Sequence, residues 1–424
     1  MNTVKKTVDS GLCISCGICK AVCPKNCIEY KKEKGLNLPI IDSESCVNCG
    51  RCMQVCPGIG FDYTHFLSQS EDTSFWFGTY QALYCAWSLD KRRRRNSVSG
   101  GVVTELTYNL LESGEYDSAF LIGTHQYDEK DVQTRRYTKG DSLEDTQKSR
   151  YLPVSQEQAV SYILSHRTEK IVLVGTSCFV QGIMKVIDTY KLERNNYFII
   201  GLFCDKTMTW NIIEYFRKHP SLKGESMKEF YFRTKDVGGW PGGVQLLTDT
   251  GAAIDLPNTE RMKVKEYFQP ERCLYCLDKL NMFADIAVGD NYTGKHADKE
   301  GSNSVIVRTQ EGMRVWEKFS SAFYYEEADK EHIMKSQHLQ QRVKNDCYSR
   351  LKEKKIKQKI NTTGELIKES PITWKNRLQY GFRCLKIWVG KNWNKRPYVL
   401  SVCLIWKNIK LQVKKMLKRS SKCL

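Results

Sequence analysis

The sequence predicts a chain of mixed α+β and α/β class: a small cysteine-ruled module, a mixed α/β body and a basic helical tail. Three observations carry that prediction. Cysteines recur at one fixed spacing within residues 1–62. Beyond them, apolar runs of strand length alternate with stretches of helical pattern, the signature of α/β architecture. The last segment, Pro371 to Leu424, holds 14 Lys or Arg and no Asp or Glu.

The elements follow in order. Residues 63–76 read as a linker. From Gly78 onward, residues 81–87, 119–123, 171–174 and 197–203 read as strands, and 101–111, 179–190 and 210–218 as helices. A later set, 229–233, 243–247 and 305–308, has a more antiparallel look. From about Arg342 the chain turns Lys-rich and helical in pattern. The expected divisions are 1–62, a linker over 63–76, body parts over 77–160 and 161–345, and a tail over 346–424.

Composition narrows the class. Mean hydropathy is −0.49, and no apolar run approaches the roughly 18 residues that span a bilayer. Met1 to Ser10 is polar, unlike a signal peptide. The expectation is a cytosolic chain. In that setting, 18 cysteines argue for metal ligation or catalysis over disulfides. The formal charge is +18, of which the tail carries +14, leaving +4 elsewhere. The basic balance therefore belongs to the tail.

The first chemistry is Cys13-Ile-Ser-Cys16-Gly-Ile-Cys19-Lys-Ala-Val-Cys23-Pro24. It recurs 33 residues on as Cys46-Val-Asn-Cys49-Gly-Arg-Cys52-Met-Gln-Val-Cys56-Pro57. Three thiolates on one short loop wrap a cluster corner, and the fourth, before proline, reaches the other cluster. This assigns Cys13, Cys16, Cys19 and Cys56 to one 4Fe–4S cluster, and Cys46, Cys49, Cys52 and Cys23 to a second. Zinc is the competing ligand for paired Cys-x-x-Cys motifs, but it rarely takes three evenly spaced cysteines followed by Cys-Pro, twice over. The match resembles bacterial-type two-cluster ferredoxins. Cys27 stands outside the pattern and reads as a small buried hydrophobe.

Four further cysteines are scattered: Cys178, Cys204, Cys273 and Cys276. Two follow predicted strands, where α/β folds place ligand sites. Alone, they fit either packing or one more closed thiolate site. Lys91 to Arg95 precedes Asn96-Ser97-Val98-Ser99-Gly100-Gly101 and a helical pattern. Amides at a helix start, glycines and hydroxyls suit a pyrophosphate; an ordinary helix cap reads the same way. Lys148, Ser149 and Arg150 are either a second phosphate or flavin contact or a polar loop. The run Gly238-Gly239-Trp240-Pro241-Gly242-Gly243 is a mobile lid or a tight turn. No G-x-G-x-x-G opens a helix after a strand, so the dinucleotide fingerprint is missing.

Five ordered blocks resemble one family. They are Ser97 to Gly101, Lys148 to Tyr151, Gly175-Thr176-Ser177-Cys178, Gly201-Leu202-Phe203-Cys204, and Cys273-Leu-Tyr-Cys276 running on to Asp285 and Gly289-Asp290. The family is the β subunit of hydrogenases and dehydrogenases that use coenzyme F420, a 5-deazaflavin. The resemblance implies a flavin-binding α/β domain with FAD, and a third 4Fe–4S cluster on Cys178, Cys204, Cys273 and Cys276. It also brings Gly175 and Thr176 to the cofactor, with Asp290 either touching a ligand there or capping a turn. The family often has Pro-Cys-Gln where this chain has Ser177-Cys178-Phe179, which changes the surroundings of that cysteine.

The implied function is an iron–sulfur flavoprotein oxidoreductase. It couples one-electron transfer through the clusters to two-electron or hydride transfer at FAD. Its partners would be a one-electron redox protein and an organic two-electron acceptor or donor, deazaflavin or other. The rival reading is a non-catalytic electron-transfer subunit of a larger redox complex. No catalytic acid or base stands out. In the tail, Val402, Ile405, Trp406, Ile409, Val413 and Met416 fall on one helical stripe among lysines. Such a helix suits the anionic inner face of a membrane, an acidic partner, or packing on the parent domain. No nucleic-acid recognition module accompanies the charge.

Overall fold

The computed structural model describes residues 2–66, 75–123, 132–340, 347–354 and 372–406. The amino-terminal module is a hairpin of β1 (Ile28–Glu33) and β2 (Leu36–Ile41), flanked by α1 (Ile18–Ala21) and α2 (Arg51–Gln54). Each short helix is entered through a left-handed glycine, Gly17 at φ 79° and Gly50 at φ 73°. Both glycines follow the second cysteine of a motif. They supply the turn that bends three thiols around one point.

The body begins with β3 (Ala82–Ser88), α3 (Val102–Glu112), β4 (Ser118–Ile122), β5 (Thr134–Tyr137) and α4 (Glu157–Ser165). It continues through β6 (Ile171–Thr176), α5 (Ser177–Tyr190), β7 (Tyr197–Leu202) and α6 (Asn211–Arg217). Strands β8 (Met227–Thr234), β9 (Gly243–Thr248) and β10 (Ala253–Leu256) form a separate antiparallel sheet of three. The chain then returns to the main sheet as β11 (Ile286–Asp290) and β12 (Asn303–Val307), crosses α7 (Gln310–Phe319), and adds β13 (Phe323–Glu327). A later helix, α8 (Trp374–Lys391), lies in the tail.

The main sheet has eight strands in the order β13-β3-β12-β11-β7-β6-β4-β5. Its centre, β11-β7-β6-β4, is parallel, and the strands outside it are antiparallel. The parallel strands are apolar on both faces because helices cover both. Side chains alternate between faces. Leu173 and Ile199 point towards α5 and the cysteine module, while Val172, Val174, Phe198 and Ile200 point towards α3 and α7.

The cysteine module is built into this core. Ile18, Val22 and Val55 share one apolar cluster with α5 and the sheet, and the Gln156 amide donates to the Cys16 carbonyl at 2.8 Å. The segment expected as a linker is fastened down as well. Tyr63 is buried, its ring lies 5.2 Å from Phe75 and 5.5 Å from Phe283, and its hydroxyl accepts from Gln181 Nε2 at 3.0 Å. The part of it over residues 67–74 lies outside the described residues, as does the tail helix beyond Trp406.

Candidate redox centre

Two cavities in the amino-terminal module, each with about 360 Å³ of space including that open to solvent, are ringed by thiols. Cys13, Cys16, Cys19 and Cys56 line the first. Cys23, Cys46, Cys49 and Cys52 line the second. The last cysteine of each motif lines the other motif's cavity. Among the described residues no three His, Cys, Asp or Glu converge as a set for a single metal ion. The thiols line the walls of the two cavities. Cys27, left without a role by the sequence, also lines the second cavity, its sulfur 3.4 Å from that of Cys23.

Burial opposes charge in the first cavity. It pushes the Cys13 thiol up to about 12. The Cys16 and Cys19 thiols are also held well above their usual range, by burial first and then by repulsion from neighbouring thiolates. Thiolates there need a cationic core beside them. Sulfur acceptors are already served: the Ser15 amide donates to Cys13 Sγ, and Thr7 Oγ1 lies 3.4 Å from Cys56 Sγ. The second cavity is more open. Cys49 and its neighbour Val47 are exposed.

Cys178 and Cys204 lie just past the carboxyl ends of parallel strands, and Cys178 lies near Cys273 and Cys276. Strands β6 and β7 run in register with Thr176 opposite Leu202. Cys178 and Cys204 each stand two residues past that last pair. The segment carrying Cys273 and Cys276 is then tied over the same ends. Asn281 Nδ2 donates to the Gly175 carbonyl at 2.9 Å and reaches Leu202 O at 3.4 Å, and the Cys204 amide donates to Lys279 O at 2.9 Å. Gly201 makes room for this insertion, since a Cβ there would lie 2.4 Å from Asn281 Cγ. Burial raises the Cys273 thiol to about 12, with the charges of Cys276 and Cys178 adding to it.

Helix α5 joins this group to the first cavity. It begins at Ser177 and Cys178, and at its middle Gly182 is pressed against the cysteine module. A Cβ on Gly182 would lie 2.3 Å from Ile18 Cδ1 and 3.6 Å from Pro57 Cγ. Cys16 feels the charge of Cys178, and Lys185 of the same helix donates to the Cys56 carbonyl at 2.7 Å. Arg272 is buried beside the group, and its Nε and Nη1 have no hydrogen-bond partner. A buried guanidinium left this way fits an anionic neighbour. Ser177 Oγ, at the start of α5, is likewise buried and unmatched.

The remaining site residues form a polar cleft around the end of β8. Lys235, just past that strand, donates from Nζ to Ser99 O at 2.9 Å and to Arg94 O. Ser99 Oγ donates to Ser302 O at 2.5 Å, while Ser97 Oγ is buried without a partner. Gly101 adopts φ 80° on entry to α3, and Gly100 lies so close to β3 that a Cβ would come within 2.6 Å of Ala86 O. The Val102 amide at the helix start is taken by Asn303 Oδ1 at 3.3 Å. Lys148 Nζ sits 4.3 Å from the centre of the Tyr231 ring and 3.9 Å from Asp236, beside Ser149. Arg150 turns back on its own loop, donating to the carbonyls of Thr146, Gln147 and Lys148.

Asp290 ends β11 in this cleft. Arg233 donates to both its oxygens, at 2.6 and 3.3 Å, Trp240 Nε1 donates at 3.2 Å and the Tyr292 hydroxyl at 3.0 Å. Burial raises the carboxyl, but Arg233 and these donors reverse that and hold it below the usual carboxylate range. Arg233 Nη1 also donates to the Tyr151 hydroxyl at 3.1 Å, and the Arg261 guanidinium lies 5.0 Å from the Tyr151 ring centre with Nε buried and unmatched. Two buried guanidiniums thus face one carboxylate, an arrangement suited to an added anion. Sequence alone did not single out Arg233 or Arg261, and it marked Tyr151 only as the end of a block. Gly175 and Thr176 lie apart from this network, at the start of α5, where Thr176 Oγ1 is 3.4 Å from Cys178 Sγ.

Residues 12–58 match the family described as 4Fe-4S dicluster domain. Residues 83–161 match the amino-terminal part, and residues 168–332 the carboxyl-terminal part, of one family, described as Coenzyme F420 hydrogenase/dehydrogenase, beta subunit. The chain is 22% identical over 251 residues to coenzyme F420 hydrogenase subunit beta of Methanosarcina barkeri, covering 57% of this chain and 80% of that protein. It is 22% identical over 329 residues to one subunit of the F420H2 dehydrogenase of Methanosarcina mazei, covering 74% and 84%. Against coenzyme F420-dependent sulfite reductase of Methanocaldococcus jannaschii it is 24% identical over 331 residues, 74% of this chain but 46% of that protein. A chain of the F420-reducing [NiFe] hydrogenase complex from Methanosarcina barkeri superposes with a TM-score of 0.49 at 19% identity, covering 66% of this chain and 95% of that one.

Proposed function

The chain belongs to the coenzyme F420 hydrogenase/dehydrogenase β-subunit family, carries a 4Fe–4S dicluster domain and is an oxidoreductase, and from that premise we propose that it converts single electrons into a two-electron or hydride exchange at FAD. When bound, 4Fe–4S clusters pass electrons singly, whereas a flavin takes them singly or in pairs. The observation that carries the reading is helix α5. One rigid element starts at the third cysteine group and rests its middle on the first cavity.

In this reading Cys23, Cys46, Cys49 and Cys52 hold the outermost cluster, near the exposed loop that a redox partner protein would meet. Cys13, Cys16, Cys19 and Cys56 hold the next. Cys178, Cys204, Cys273 and Cys276 hold a third, at the strand ends. FAD takes the polar cleft, with its phosphates near Ser97, Ser99 and Lys148 and the unmatched Nε of Arg261 facing anionic substrate or cofactor groups. Asp290 orients Arg233 and Trp240 at the cleft wall. The organic partner is a deazaflavin or another hydride carrier.

The test is anaerobic. Reduced deazaflavin, or a reduced nicotinamide as competitor, should bleach the cluster absorbance of oxidised protein only when FAD is present, and added FAD should restore the response to flavin-depleted protein. A chain that releases no flavin, and whose clusters answer no hydride donor, is instead a relay subunit without its own organic substrate.

A further inference from the structure

Large apolar side chains on the surface are concentrated in the tail. Among the described residues nine of sixteen such exposed side chains lie between Trp374 and Trp406. Five belong to α8: Trp374, Leu378, Phe382, Leu385 and Trp388, each 44–67% exposed. Their offsets of 0, 4, 8, 11 and 14 place them within an arc of about 120° on an α-helix. The other four, Tyr398, Val402, Ile405 and Trp406, share the outer face of the helical stretch 397–406.

The opposite faces of both helices are anchored. In α8, Ile387 and Gly390 are buried, and the Gly390 carbonyl accepts from Asn211 Nδ2 at 2.8 Å. Tyr380 meets Tyr275, which stands between Cys273 and Cys276. Lys386 pairs with Glu266 at 2.5 Å and Lys391 with Glu271 at 3.2 Å. In the following stretch, Leu400 is buried and Cys403 and Leu404 pack on the three-stranded sheet. The apolar outer face is therefore held in place by the body and left facing outward.

We propose that this face is a docking surface for an anionic lipid bilayer, on which the two helices lie in the plane of the headgroups. The charge selects the occupant. No Asp or Glu occurs from Pro371 to Leu424, and Lys375 and Arg396 beside the stripe have no carboxylate partner among the described residues. Basic flanks around an aromatic-rich apolar face match a bilayer surface that is negative outside and hydrocarbon within. A second copy would oppose two basic faces with no acid between them. The face also lies outside residues 83–332, which carry the family likeness. No described helix is long and apolar enough to cross a membrane. Tyr380 and Tyr275 would then hold the third cysteine group directly behind the docked helix.

The experiment is flotation of the full-length chain, purified with its cofactors, on phosphatidylcholine vesicles with and without about a third phosphatidylglycerol. The proposal predicts co-flotation with anionic vesicles, at least tenfold weaker binding to neutral ones or in high salt, and a blue shift of tryptophan emission. Trp374→Ser with Phe382→Ser should weaken anionic-vesicle binding at least tenfold while iron content and circular dichroism stay unchanged. Because neither readout involves turnover, failure here leaves the redox reading untouched. The proposal is overturned by no flotation on anionic vesicles, by equal binding to neutral ones, by undiminished binding of the double variant, or by a vesicle-free dimer that the double variant dissolves.

Discussion

Arg272 is the residue on which the redox reading turns. It precedes Cys273, is buried, and keeps Nε and Nη1 without hydrogen-bond acceptors. Burial raises the Cys178 and Cys273 thiols, and Arg272 acts on both in the opposite sense. A fixed positive charge beside a cluster favours its reduced, more negative form. Arg272→Gln should therefore lower the midpoint potential of the nearest cluster by roughly 60 mV, a tenfold step for a one-electron couple, and Arg272→Lys should recover part of it. Potentiometric titration followed by electron paramagnetic resonance reads this directly; an unmoved potential would show that the guanidinium faces something else. Lys235 offers a separate reading of the cleft. Burial pulls its pKa down to about 8 despite Glu300, against 10.5 for an ordinary lysine. Between those values the unfolded chain binds more protons, so the burial penalty is full below the window and fades as pH rises. The melting temperature of wild type should gain on that of Lys235→Met from about pH 7 to about pH 9.5. A constant difference would mean the ammonium is not held dry.

At the scale of elements, α5 depends on close contact with the cysteine module at Gly182. Gly182→Leu would overfill the gap to Ile18 and should cost about 1–3 kcal/mol, read as a lower melting temperature. It should also slow electron transfer between the first cavity and the third cysteine group, and Ile18→Ala should restore both. Full stability in Gly182→Leu would contradict the contact. The strands and helices of the body were readable from the chain because burial on both faces writes itself as local runs, as in Ile171–Thr176 and Tyr197–Leu202. The crossed pairing of the amino-terminal cysteines was readable for the same local reason. What brings the segment of Cys273 and Cys276 to the strand ends that precede Cys178 and Cys204 is the Asn281 tether, a contact between segments far apart in sequence that no local pattern records. The clamp of Arg233, Trp240 and Tyr292 on Asp290 was hidden likewise, with only Asp290 and the Trp240 turn standing out. Residues 63–76 looked like a linker because a short aromatic stretch has no period; the rings of Tyr63 and Phe75 pack its described ends down.

Over the whole molecule, the parts fall into one line. Helix α5 runs from the end of β6 to the wall of the first cavity, the second cavity is the more exposed of the two, and Asp290 of the polar network ends β11 beside β7. Docking of α8 on a bilayer would set the third cysteine group close behind the membrane surface and leave the second cavity for a protein partner. The central claim is the third cluster, since without it α5 joins nothing. The decisive measurement is iron and acid-labile sulfide per chain, for anaerobically purified wild type and for Cys178→Ser. Three four-iron cores give about 12 iron atoms in wild type and about 8 in the variant, with the residual signal unchanged in the amino-terminal clusters. About 8 in both would contradict the account and leave a two-cluster module fused to a body without a redox centre of its own.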